Sequence, residues 1–167
     1  MNFPLLPAVI LDRLTQLTPE FLREQGIRLL MLDFDNTVVP YTTNTPTEET
    51  DRWFRKMKDS GVLLCVVSNS RKPRVGLFCE EYGLDCVTHA RKPFTSGIRR
   101  CMDRYGIPKE ACALVGDQIF TDTLGANLAG VRPILVRAIN NHNIWLKLRH
   151  VAELPFILAA RKRRIDL

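Results

Sequence analysis

Asp33 and Asp35 close a short apolar run, and their types and spacing define the chemistry that this chain could perform. If extended geometry persists, side chains two residues apart project to the same side. Two carboxylates so placed repel, and a bare pair tends to retain a proton. A divalent cation removes that conflict and also neutralises an incoming phosphate, and oxygen ligands on such a substrate favour Mg²⁺. In that setting one aspartate can attack phosphorus, splitting a hard hydrolysis into two displacements. The other can protonate the leaving alcohol and later deprotonate water. Alone, an acidic pair of this kind also occurs as solvated turn residues.

Further polar groups stand at comparable places. Ser68 follows the apolar run 62–67 and can donate to a phosphoryl oxygen. Lys92, before Pro93, supplies a point cation for charge on a transferring group. Asp117 ends the run 111–115, and Asp122 lies five residues on. The first suits metal coordination and the second support of the metal. Each has a structural alternative: serine often begins a turn, and Asp122 could cap the following helix.

The elements that must bring these groups together read as strands at 28–34, 62–67, 85–89, 111–115 and 131–136. Helices are expected between them: one opened by a capping box over Thr45, Pro46, Thr47 and Glu48 and stopped at Gly61, then 73–82, 94–105 and 121–129. Apolar strands alternating with helices indicate an α/β fold, with a parallel sheet of about five strands and helices on both faces. Such sheets bind ligands outside the carboxyl ends of their strands, where the polar groups fall. Residues 1–27 read as a helical lead-in and 138–167 as a helical tail, so that 1–167 forms a single domain with its core at about 28–136.

The ordered set D-F-D-N-T (33–37), S-N-S (68–70), K-P (92–93) and G-D-Q-I-F-T-D (116–122) resembles the haloacid dehalogenase (HAD) superfamily. The resemblance implies a Rossmann-like fold, with Asp33 as nucleophile and metal ligand. It makes Asp35 the general acid/base and donor of a backbone carbonyl to Mg²⁺. Ser68, Asn69 and Lys92 would bind the phosphoryl group, and Asp117 and Asp122 would hold the metal. Thr37 would fix the loop. The short segments after Asp35 and Ser68 leave no room for a cap domain, which resembles subclass IIIA and opens the site to bulky substrates. V-V-P-Y after the first motif, the G-D-Q-x-x-T-D spelling and the basic tail resemble the YqeG family, which is similar to phosphatidylglycerophosphate phosphatases. An anionic lipid headgroup is then the expected substrate. Soluble small-molecule or nucleic-acid phosphates are the alternative, and a non-catalytic scaffold a third reading that the intact carboxylates disfavour.

Composition sets the outer bounds. At 167 residues with 46% hydrophobic and 25% charged residues, the chain suits an ordinary globular protein. No apolar run reaches the ~20 residues of a membrane span. The apolar N-terminus has no basic start, so no secretory signal is expected. Five cysteines without a C-x-x-C pair fit a reducing cytosol. His89, His142 and His150 lack ligand spacing. The net charge is +6, and from Asn143 onward six Lys/Arg face only Glu153 and Asp166. That tail, with Ile144, Trp145, Leu146 and Leu148 interleaved by Lys147 and Arg149, could hold the protein against anionic lipid at the inner face of the membrane. Nucleic acid is not an expected partner. Arg71, Lys72 and Arg91 read as solvated cations near the mouth of the site.

Overall fold

The computed structural model describes residues 4–140, 144–160 and 162. Six strands, β1 (Val9–Leu11), β2 (Leu29–Leu32), β3 (Leu63–Val67), β4 (Asp85–Val87), β5 (Cys112–Gly116) and β6 (Arg132–Val136), form one parallel sheet in the order β1-β6-β5-β2-β3-β4. The interior strands are apolar on both faces because both faces are covered. Leu30, Leu32, Leu64, Val66, Ala113 and Val115 face α1 (Pro19–Glu24), α2 (Glu48–Asp59) and α3 (Arg74–Tyr82), packing with Phe21, Trp53, Phe54, Met57 and Phe78. Leu29, Met31, Cys65, Val67 and Leu114 face α4 (Ser96–Tyr105) and α5 (Leu124–Ala129), packing with Ile98, Cys101 and Ala126. A sixth helix, α6 (Ile144–Ala159), follows the sheet. All five cysteines are free thiols.

The structure departs from the sequence reading in several places. The sheet has six strands rather than about five, because the lead-in is not simply helical. Val9–Leu11 pairs in parallel with β6, Val9 opposite Ile134 and Leu11 opposite Val136. Its three residues are too few to carry a period, and only the partner strand makes them extended. The second helix is capped by Thr47, not Thr45: Thr47 is extended, its side chain accepts from the Thr50 N–H at 3.2 Å, and Pro46 stays outside the helix. The third predicted strand ends at Val87 because His89 adopts a left-handed φ of 53°. A single π-helical turn, Ile119–Thr123, precedes α5 where one continuous helix was expected.

Residues 36–47 and 69–73 contain neither a helix nor a strand of the sheet, so among the described residues no cap covers its carboxyl end. Among the described residues no helix is long and apolar enough to cross a membrane. The backbone of 144–149 is helical, as expected of that segment. Of the basic cluster at 161–164 only Lys162 lies within the described residues, and it is exposed.

Candidate active site

The strand order reverses between β2 and β5: the chain runs β2-β3-β4 to one side and β5-β6 to the other. Side chains leaving the ends of these two neighbours converge on the crevice that such a reversal opens. Asp33 continues β2, its N–H donating to the Val115 carbonyl at 2.9 Å. Asp117 follows β5 directly, and Asp122 comes back over Gly116 from the π-turn. All three are buried, with one carboxylate oxygen of each within 4.8 Å of the others.

The π-turn makes this return possible. The Asp122 and Thr123 N–H groups both donate to the Gln118 carbonyl, at 3.0 and 3.1 Å. The Asp122 carboxylate in turn accepts from the Gln118 N–H at 3.1 Å. Asp122 therefore does not cap a helix; it folds inward. Gly116 is required by this closeness, since a Cβ there would lie 2.3 Å from the Asp122 carboxyl. We expect Gly116→Ala to push that carboxylate out of the group, costing about 1–3 kcal/mol in a thermal melt and lowering activity with it.

Lys92 is the internal counter-ion. Its Nζ lies 2.6 Å from Asp33 Oδ1 and 2.7 Å from Asp122 Oδ1, and its side chain is 1% exposed. Burial alone pulls the ammonium pKa down, but Asp122 and Asp33 outweigh it and hold the group above the ordinary lysine value. Burial likewise pushes Asp122 up, with Lys92 opposing and Asp33 adding to the rise. Asn69 fixes the Lys92 backbone from both sides: its Oδ1 accepts from the Lys92 N–H at 2.7 Å and its Nδ2 donates to the Lys92 carbonyl at 2.9 Å. The side-chain amide thus places Lys92, and with its second Nδ2 hydrogen Asn69 also lines the cleft beside Ser68. Ser68 Oγ accepts from the Ser70 N–H at 3.0 Å, which leaves its own proton available to donate.

The turn after β2 arranges the remaining groups. Asn36 adopts a left-handed φ of 64°, its N–H donating to the Val39 carbonyl at 2.7 Å, and its side chain accepts from the Tyr41 N–H at 3.1 Å. This turn returns Thr37, whose hydroxyl donates to Asp33 Oδ2 at 3.4 Å. The Asp35 carboxylate stays outside the buried trio and pairs with Arg74 at 2.7 Å. Burial raises the Asp35 pKa against the opposing pull of Arg74. Arg74 also donates to the Tyr41 carbonyl at 2.9 Å and lies over the Phe34 ring at 5.0 Å. It was missed in the sequence because it opens a helix six residues beyond Ser68. Only the R-K-P-R cluster at 71–74 hinted at it.

Together these groups line a cleft of about 180 Å³, walled by Asp33, Asp35, Tyr41, Ser68, Lys92 and Gln118. Among the described residues three buried carboxylates gather beside the buried Lys92 ammonium, a grouping that a divalent cation would suit. Asp33, Asp117 and Asp122 therefore fit a metal held by oxygen ligands.

Comparisons with known proteins agree with this geometry. A family model described as HAD-hydrolase-like matches residues 89–147. The Bacillus subtilis protein named "Probable phosphatase YqeG" is 33% identical over 159 residues, covering 95% of this chain and 92% of its own. The cobalt-bound deoxy-D-mannose-octulosonate 8-phosphate phosphatase of Haemophilus influenzae shares the fold, with a TM-score of 0.55 at 12% identity over 83% of this chain and 92% of that one. The 3-deoxy-D-manno-octulosonate 8-phosphate phosphatase of Yersinia pestis gives a TM-score of 0.54 at 16% identity over 87% and 88%. Identity of one third along nearly the whole of both chains makes this protein a member of the YqeG family of HAD-superfamily phosphatases.

Proposed function

We propose that the chain is a Mg²⁺-dependent phosphomonoesterase that works through a phospho-aspartate on Asp33, with phosphatidylglycerophosphate at a membrane surface as its substrate. The observation that carries the chemistry is the Asp33 carboxylate at the switch point of the sheet, with Lys92, Asp117 and Asp122 gathered around it. Asp33, Asp117 and Asp122 would hold the metal, with the Asp35 carbonyl, and the ion would supply positive charge to the phosphoryl oxygens.

In the first step an Asp33 oxygen attacks phosphorus and the bond to the leaving oxygen breaks. Asp35 gives its proton to that oxygen, a role suited by a pKa raised through burial. In the second step Asp35 takes a proton from water, the water oxygen attacks phosphorus, and the bond to Asp33 breaks to release inorganic phosphate. Ser68 and Lys92 bind the transferring group, and Asn69 keeps Lys92 in place.

Three features support a bulky anionic substrate. Among the described residues no cap encloses the cleft. Tyr41 is exposed at its rim, with Lys72 5.4 Å and Arg74 6.0 Å from the ring. Helix α6 exposes Val151, Leu154 and Leu158, and the basic residues at 161–164 follow it. Lys/Arg near anionic lipid contribute about 1 kcal/mol each. With phosphatidylglycerophosphate in mixed micelles and a panel of soluble phosphomonoesters, kcat/KM should be highest for the lipid. Equal or better turnover of a soluble ester would remove the lipid from this reading and leave the chemistry standing.

A further inference from the structure

Glu153 lies in the C-terminal helix, far in sequence from every motif, yet it is 2% exposed and aimed at the loop between Asp117 and Asp122. Its Oε1 accepts from the Ile119 N–H at 3.0 Å and from the Phe120 N–H at 3.5 Å. These N–H groups open the π-turn, where no earlier turn of helix supplies an acceptor. The Phe156 ring, one turn along α6, meets Phe120 edge-on with centroids 6.0 Å apart, and Ala160 is buried beyond it. A carboxylate taken out of water in this way is costly unless hydrogen bonds hold it.

We infer that Glu153 is a positioning residue for the metal carboxylates: it fixes the start of the π-turn and thereby the place from which Asp122 reaches back over Gly116. The turn is anchored at one end by β5 and at the other by α5. Without Glu153 the intervening residues 118–121 would lose the acceptor that sets the Ile119 and Phe120 N–H groups. Asp122 would then sample positions away from Asp33 and Asp117. On this account α6 belongs to the catalytic apparatus, not to a tail appended to it. Outer partners of metal ligands commonly affect metal affinity by about 10–100-fold.

The inference rests on the metal-dependent reading above, and one experiment separates the two. The full-length chain and its Glu153→Ala, Glu153→Gln and Phe156→Ala variants are melted across a Mg²⁺ titration, and initial rates on an aryl phosphate are taken at each concentration. Wild type should gain thermal stability with Mg²⁺. No gain and no Mg²⁺ dependence would sink the metal reading itself. Glu153→Ala should need about tenfold more Mg²⁺ for the same gain, with kcat at saturating Mg²⁺ changing less. Phe156→Ala, which loosens α6 but keeps the carboxylate, should lower the melting temperature and leave the Mg²⁺ midpoint in place. A Glu153→Ala midpoint shifted no further than that of Phe156→Ala would overturn the inference. If Glu153→Ala does not fold, Glu153→Gln decides. Its neutral oxygen is a weaker acceptor and should shift the midpoint by about threefold, and an unshifted midpoint would overturn the inference.

Discussion

Asp33→Asn is expected to lower kcat on an aryl phosphate by about 10⁴-fold or more, with the protein still folded. Loss of a nucleophile in a covalent mechanism removes the whole route, and effects of this size or larger follow when the acting group is deleted. An amide oxygen is nearly the same size but is a poor nucleophile and cannot form the acyl phosphate. The fold should survive because Lys92 keeps its second partner, Asp122 at 2.7 Å, and because one buried carboxylate charge is removed. Two measurements check the role. Wild type quenched during turnover should carry a hydroxylamine-labile phosphate, and the variant should not. Activity within tenfold of wild type in a preparation free of contaminating phosphatase would assign the attack to another group.

Lys92→Met should have the largest effect on stability. Methionine fills similar volume but leaves Asp33 and Asp122 facing each other in a buried site without their cation. Removing one partner of a buried ion pair costs about 3–5 kcal/mol. In a domain of this size that is about 6–20 °C in melting temperature. The sign of the pH dependence follows from the shifts. In wild type the Lys92 pKa is raised by folding, so its stabilisation is complete below the ordinary lysine pKa and is lost as pH rises through the folded value. In the variant the opposing pull of Lys92 on Asp122 is gone, so that carboxylate rises further. The folded state then binds more protons than the unfolded state from the ordinary aspartate pKa upward, and stability falls as pH rises through this window. Melts at pH 5 and pH 8 should therefore show the variant relatively more stable at pH 5. Mg²⁺ should recover more stability in Lys92→Met than in wild type, because it replaces the missing charge. A variant that melts with wild type at pH 8 would show that Lys92 is not the counter-ion of the trio.

Arg74 and Glu153 illustrate what could not be read along the chain. Arg74 stands in a charged run that also suits a solvated surface and Glu153 alone in the apolar run 151–160, and the role of each depends on an element distant in sequence. Arg74 acts on Asp35 across 39 positions and Glu153 on Ile119 across 34. Asn69 was legible as part of a motif, but that its side chain also holds the Lys92 backbone is decided only by the approach of two loops. The edge strand Val9–Leu11 was hidden for the same reason, since three residues become a strand through the neighbour they meet.

The alternation of apolar strands with helices, the parallel sheet and the carboxyl-end position of Asp33, Ser68, Lys92, Asp117 and Asp122 were all legible along the chain. Those follow from local terms: side-chain period, burial on both faces, and polar residues where an apolar run stops. Only the packing of distant elements set which carboxylates share one buried space, that Asp35 turns to Arg74 instead of joining them, and that α6 reaches the loop between Asp117 and Asp122. The physical reason is that charge placed in a low-dielectric interior acts on whatever surrounds it in space, and chain order does not encode that distance.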